Sequence, residues 1–109
     1  MVRTVHKVSA LLLTALGMVH TALTPVFYGR FSLNAMWFAG SGLTMVFVGS
    51  LNLILEREAG KDRLTRSLCY AANLLAVAFG CLIVIVDSEP QVIFGLVLLV
   101  LLFVTSFLI

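Results

Sequence analysis

The residue with the most distinctive chemistry is His20, an ionisable side chain inside a long apolar segment. Ionisable groups within membrane segments are rare and usually functional. Thr24 lies one turn further along the same segment, and a chain reversal near residue 30 brings Ser41 to the same depth. Two interpretations stay open: an imidazole that joins two helices by hydrogen bonding Ser41 or Thr24, and a ligand- or proton-handling group in an outward-facing pocket with Trp37.

A third interpretation, haem or metal ligation, requires further ligands at the depth of His20. The other histidine, His6, precedes it on the same segment and lies about four turns away. Cys69 and Cys81 are 12 residues apart and belong to no metal-binding or haem-attachment motif. We therefore predict no metal site and no cofactor, and a haem would have to be shared between two copies of His20.

Two further polar pairs are predicted to be architectural. Asn52 and Asn73 fall near the same ends of the second and third apolar segments, where an amide hydrogen bond would join two helices. Arg30 and Asp87 fall in the two connections at the opposite ends and have opposite charges. We expect each pair to fix one helix against another.

The residue sets of the common enzyme classes are missing. The chain has no paired carboxylates in its apolar segments, no Ser/His/Asp set and no glycine-rich phosphate loop. We predict that the protein is not an enzyme. Its net charge of +2 is too small to indicate nucleic-acid binding.

The composition is that of a membrane protein. Hydrophobic residues make up 61% of the 109 residues, and charged residues make up 11%, against about a quarter in soluble domains. The mean hydropathy is +1.15. The predicted fold class is all-α: one integral membrane four-helix bundle with up-down-up-down topology.

Four apolar segments have the length of about 20 residues that a membrane-spanning helix needs. They cover about residues 8–28, 32–55, 67–86 and 92–109, with Ser32 as the N-cap of the second and a hydrophilic loop over 56–66 that contains Gly60 as a helix stop. The first segment runs well past the apolar core of a signal peptide, so we expect it to remain uncleaved.

The distribution of basic residues predicts the orientation. Six lie before the first segment or between the second and third, whereas Arg30 is the one basic residue in the other two connections. The positive-inside rule then places both termini in the cytoplasm (N-in/C-in), and we expect the bacterial inner membrane.

Small residues recur at helical spacing in the first three segments, where they let helices approach closely. The first stripe contains Ala10, Thr14, Gly17, Thr21 and Thr24; the second contains Ala35, Gly42 and Gly49; the third contains Ala72, Ala76 and Gly80. We predict that the first two stripes pack against each other. The fourth segment shows no such stripe, so most of its surface is expected to be free for lipid or another protein.

Four helices in about 110 residues, with both termini inside, resemble the plan of the small multidrug resistance transporters. Those carry an essential glutamate on the first helix, and this chain has no acidic residue there. The transport activity is therefore not carried over. The stretches HTALTP, WFAGSG and SLNL are similar to those of uncharacterised small bacterial four-helix membrane proteins, a resemblance that covers about half the chain and implies no activity.

Three functional hypotheses follow. The leading one is an accessory, assembly or stabilising subunit of a larger membrane complex, with the lipid bilayer and other membrane subunits or itself as partners. The second is a small homodimeric transporter or ligand-binding protein with an outward-facing pocket around His20. The third is a haem- or quinone-associated subunit.

Overall fold

The computed structural model describes residues 1–57 and 61–109. Within these residues the helices are α1 (Val2–Ala22), α2 (Thr24–Phe27), α3 (Leu33–Glu56), α4 (Arg63–Val86) and α5 (Pro90–Leu108). All except the short α2 are long and apolar enough to cross a membrane. The prediction of an all-α chain with four candidate membrane spans is therefore confirmed.

The largest difference from the predicted boundaries is at the start of α1. This helix begins at Val2 instead of residue 8, because two of its early polar side chains have partners on α3. Arg3 donates from Nη2 to the carbonyl oxygen of Glu56 over 2.6 Å, and His6 hydrogen-bonds Asn52. Residues 2–7 therefore form part of α1, and Arg3 and His6 join it to α3.

The end of the first segment is interrupted. The helix stops at Ala22 and resumes as the single turn α2, with Pro25 in the first turn of α2. Proline lacks the backbone N–H that would bond one turn earlier, and its ring clashes with that carbonyl. A continuous helix to residue 28 is therefore not formed.

Side-chain caps define the start of α3 and α4. The hydroxyl of Ser32 accepts from the backbone N–H of Ala35, so the predicted N-cap is present. Asp62 caps α4, which begins at Arg63 instead of residue 67, and a hydrogen bond from the Thr65 hydroxyl lowers the pKa of the Asp62 carboxyl. Gly60, the predicted helix stop, lies outside the described residues.

The most extensive helix contact joins α1 to α3 along their small residues. A Cβ on Gly17 would lie 2.5 Å from the carbonyl oxygen of Gly42, and one on Gly42 would lie 2.8 Å from the carbonyl oxygen of Gly17. Gly49 meets Ala10 and Thr14 in the same way. Later residues of α1 meet earlier residues of α3, so this pair of helices is antiparallel.

The same contact is reinforced at Thr21, whose hydroxyl donates to the carbonyl oxygen of Ala39 over 3.3 Å. The two predicted stripes thus face each other, with backbone against backbone. On α4, Gly80 faces α5, and a Cβ there would lie 3.0 Å from Leu96 Cδ1.

Helix α5 has a packing face that the sequence analysis overlooked. It contacts α1 and α4, and Leu98 and Leu102 join the core cluster of Ala10, Leu13 and Val48. Its buried residues Gly95, Leu98, Leu102 and Thr105 recur at steps of three and four, and Ser106 beside them is also buried. Thr105 and Ser106, near the end of α5, also lie on this face. Their hydroxyls can be buried there because they donate to carbonyls of their own helix.

Candidate functional site

A cleft separates α3 from α4 over one half of the bundle. The two helices meet at Asn52 and Asn73, and beyond this point a cavity of about 710 Å³ lies between them, with walls also from α1 and α5. This volume is within the range of roughly 300–1,000 Å³ that is typical of small-molecule sites. Its lining residues are Leu16, Val19, His20, Leu23, Phe27, Trp37, Phe38, Gly40, Ser41, Thr44, Met45, Val48, Ala76, Phe79, Gly80, Ile83, Asp87, Gln91, Val92, Gly95, Leu96 and Leu99.

Most polar groups of this cleft lie towards one end. His20 and Ser41 lie towards the end of the hairpin, Asp87 and Gln91 lie at the connection between α4 and α5, and Thr44 lies midway along the cleft. The opposite end, around Val48 and Leu99, is lined by apolar side chains. Small-molecule sites commonly have this composition, an apolar wall with a few polar groups that fix orientation.

His20 lies in the wall of the cleft without the hydrogen bonds expected of a helix-joining residue. Its ring stacks on Phe38, with 3.8 Å between centroids and 20° between planes. Its Nε2 is buried and has no hydrogen-bond partner. An unpaired polar atom in an apolar wall costs free energy unless a ligand or water satisfies it.

The expected hydrogen bonds from His20 to Ser41 or Thr24 are not formed. The Ser41 hydroxyl donates to the carbonyl oxygen of Trp37 in its own helix over 3.0 Å, and Thr24 Oγ1 is itself buried without a partner. Because the imidazole lies flat on Phe38, stacking fixes its orientation instead. The predicted hydrogen bonds to Ser41 and Thr24 are therefore absent, whereas His20 of α1 still contacts α3 through Phe38, so its role in joining the two helices stays a prediction.

Of the residues predicted to surround a pocket, His20, Trp37 and Ser41 line the cleft, whereas Thr24 does not. Trp37 is the single tryptophan of the chain, and 69% of its surface is exposed. It lies at the polar end, beside the aromatic group formed by Phe27, Tyr28 and Phe38. A ligand in the cleft would contact a unique fluorophore.

A buried polar cluster closes the other end of the α3–α4 contact. The side-chain amides of Asn52 and Asn73 are paired by two reciprocal hydrogen bonds of 2.7 and 2.9 Å. Asn52 Oδ1 also accepts from Cys69 Sγ at 3.3 Å, and Asn52 Nδ2 donates to the carbonyl oxygen of Val48. The expected amide pair is thus present, and Asn52 is its hub.

His6 belongs to this cluster, although the first predicted span begins only at residue 8. The residue is fully buried, and its Nε2 lies 3.0 Å from Asn52 Oδ1. Since that oxygen can only accept, the imidazole donates from Nε2. The available signal was the stripe itself, because His6 precedes Ala10 by four residues and continues its face by one turn.

The predicted contact between Arg30 and Asp87 is not formed. An ion pair instead joins Arg3 to Glu56, at 3.8 Å between Nε and Oε1. Asp87 instead accepts from the backbone N–H of Glu89 and lines the cleft. Arg30 is exposed in the connection between α2 and α3, so Arg30 and Asp87 do not join two helices.

No protein-family model, curated protein or solved structure matches this chain. The resemblance to small bacterial four-helix membrane proteins therefore stays a prediction.

Proposed function

We propose that this protein is a small, non-enzymatic integral membrane protein that binds a lipophilic small molecule in the cleft between α3 and α4. The observation that carries the proposal is the cavity of about 710 Å³ with an apolar wall and the unpartnered Nε2 of His20. The volume is typical of small-molecule sites.

The charge distribution supports an orientation for this site. Arg3, Lys7 and Arg57 lie near the buried polar cluster, at the end opposite His20. Under the positive-inside rule, the termini are cytoplasmic and the polar end of the cleft faces outward. We propose an up-down-up-down bundle in the bacterial inner membrane with this orientation.

The accessory-subunit hypothesis remains a second proposal. Large apolar side chains are exposed along α5, including Phe94, Val104 and Phe107. Acyl chains and a partner helix would cover them equally well, so this surface is compatible with either. A stable partner or self-association in mild detergent, measured by native mass spectrometry, would support the subunit role, and a monomer without partners would contradict it.

The two cofactors considered from the sequence relate to the site differently. A quinone is a lipophilic molecule with polar carbonyls and belongs to the proposed ligand class. A haem held by two histidines of one chain is incompatible with the structure, because His6 lies about 21 Å from His20 along α1 and is hydrogen-bonded to Asn52.

The first test fills the cleft. Gly40 lines the cavity, and a Cβ at this position would meet no atom within 4 Å. We expect Gly40→Leu to weaken binding of a bromine-labelled dodecanol about tenfold or more, because displacing two ligand methylenes costs about 1.6 kcal/mol. Saturable quenching of Trp37 fluorescence in phosphatidylcholine vesicles measures the binding.

Gly29→Leu is the matched control for this test. Gly29 also has open space at the position of a Cβ but lies outside the cleft, so binding should equal that of the parent protein. Equal binding by the parent and Gly40→Leu, or no saturable quenching in the parent, would contradict the proposal. Thermal unfolding by circular dichroism checks the fold, and Gly40→Val repeats the test if the larger side chain disturbs it.

The second test separates the two properties of His20. His20→Phe retains an aromatic ring to stack on Phe38 but removes Nε2. We expect it to bind the labelled dodecanol about fivefold more weakly, the equivalent of one hydrogen bond, with unchanged stability. His20→Ala should in addition lose about 1 kcal/mol of stability with the stacked pair. If His20→Phe binds as well as the parent, the imidazole has no part in binding.

A further inference from the structure

The cleft has the length and the polarity gradient of one membrane leaflet. Its lining on α4 extends from Ala76 to Asp87, which is about 16 Å at 1.5 Å per residue. A leaflet of the hydrocarbon core is about 15 Å thick. A single extended chain can therefore lie along the cleft with its end among apolar side chains.

Charge at the polar end selects the headgroup. Among the described residues that line the cleft, Asp87 is the one with a charged side chain. Its Oδ1 accepts from the backbone N–H of Glu89 at 3.2 Å, and no basic side chain of the described residues lies within ion-pair distance of it. The carboxylate thus adds a negative charge to the mouth that is not neutralised by a neighbour.

Hydrogen-bonding capacity is available towards the same end. His20 Nε2 is unpartnered, and the Ser41 hydroxyl donates to a carbonyl of its own helix, which leaves its lone pairs free to accept. A headgroup with N–H or O–H donors can use these acceptors as well as the carboxylate. An anionic headgroup would instead face Asp87 at close range, which is unfavourable.

We infer that the ligand is a single-chain amphiphile with a cationic, hydrogen-bond-donating headgroup such as a primary ammonium, held with its head at Asp87 and its chain along the cleft. This inference rests on the proposed function and names the ligand class of the same site. The chain supplies the apolar contact, and Asp87 supplies the preference for positive charge.

The test compares three probes with the same brominated dodecyl chain: an amine, an alcohol and a carboxylate. Each is titrated at pH 7 into the full-length protein in phosphatidylcholine vesicles, with Trp37 quenching as the readout. We expect Asp87→Asn to weaken binding of the amine about fivefold, the equivalent of about 1 kcal/mol, and to leave the alcohol unchanged. Dividing each variant's affinity by that of the parent protein cancels the different partition of the probes into lipid.

Glu89→Gln is the matched control, because it removes one negative charge from the same turn at a residue that does not line the cleft. It should leave the amine affinity within about twofold of the parent protein, a change of about 0.4 kcal/mol. If both variants weaken the amine equally, general surface charge accounts for the preference and the inference fails. If Asp87→Asn leaves the amine unchanged, or the carboxylate binds best, the ligand class is wrong while the cleft remains a binding site. If no probe quenches Trp37 saturably, the proposed function itself fails.

Discussion

Replacing Asn52 with alanine is expected to lower the free energy of unfolding by about 3 kcal/mol, because it removes four interhelical hydrogen bonds, each worth roughly 0.6–1 kcal/mol in a membrane. The amide of Asn52 joins His6 of α1 to Asn73 and Cys69 of α4. All four side chains are buried, so the remaining groups have no water to replace the lost partner. Reversible unfolding in mixed micelles with increasing sodium dodecyl sulfate measures the change.

Asn34→Ala is the control for this measurement. Asn34 lies on the same helix as Asn52 but is exposed near its first turn. Exposed substitutions usually change stability by no more than about 0.5 kcal/mol. A similar loss in the two variants would show that the buried cluster contributes no more than any asparagine of α3.

Replacing Gly42 with leucine is expected to prevent the close packing of α1 on α3 and to lower stability by more than about 3 kcal/mol, at the upper end of overpacking effects. A Cβ at this position would lie 2.8 Å from the backbone nitrogen of Thr21 and from the carbonyl oxygen of Gly17. Since both are backbone atoms, no side-chain rotation can relieve the contact, and the helices have to separate. Thermal unfolding by circular dichroism measures the effect.

Gly40→Leu provides the comparison two residues away. Gly40 faces the cleft, where a Cβ has open space, so this variant should retain the melting temperature of the parent protein. The same substitution is thus expected to lower stability on the face that meets α1 and to leave it unchanged on the face that borders the cleft. A Gly42→Leu protein that unfolds within a few degrees of the Gly40→Leu protein would show that the α1–α3 contact can open without cost.

The helices and the α1–α3 contact could be predicted because each depends on a local property of the sequence. Apolar length indicates the spans, and small residues at steps of three, four and seven identify the faces that approach, as at Gly17 and Gly42. The burial of His6 could not be read from composition, because a histidine near lysine and arginine has the character of a headgroup residue. The stripe on α1 places it on the face that meets α3, and its hydrogen bond to Asn52, 46 residues away, accounts for its complete burial.

The cleft was predictable only in part. Register along the hairpin places His20 near Ser41, but the stacking on Phe38 depends on side-chain conformations that spacing does not determine. The predicted contact between Asp87 and Arg30 was wrong. Two opposite charges at one end of a bundle can pair only if their side chains are close, and the sequence does not give that distance. The volume between α3 and α4 depends on the angle between two helices, which no residue pattern specifies.

The position of the buried cluster has a mechanical consequence. Asn73 and Cys69 fasten α4 to α3 near the start of α4, whereas the stretch from Ala76 to Asp87 borders the cleft. Beyond this contact, α4 is held to the bundle by α5, against which Gly80 packs. The width of the cleft therefore depends on the position of α4 and α5 together, while Asn52 fixes the spacing of α3 and α4 at its closed end.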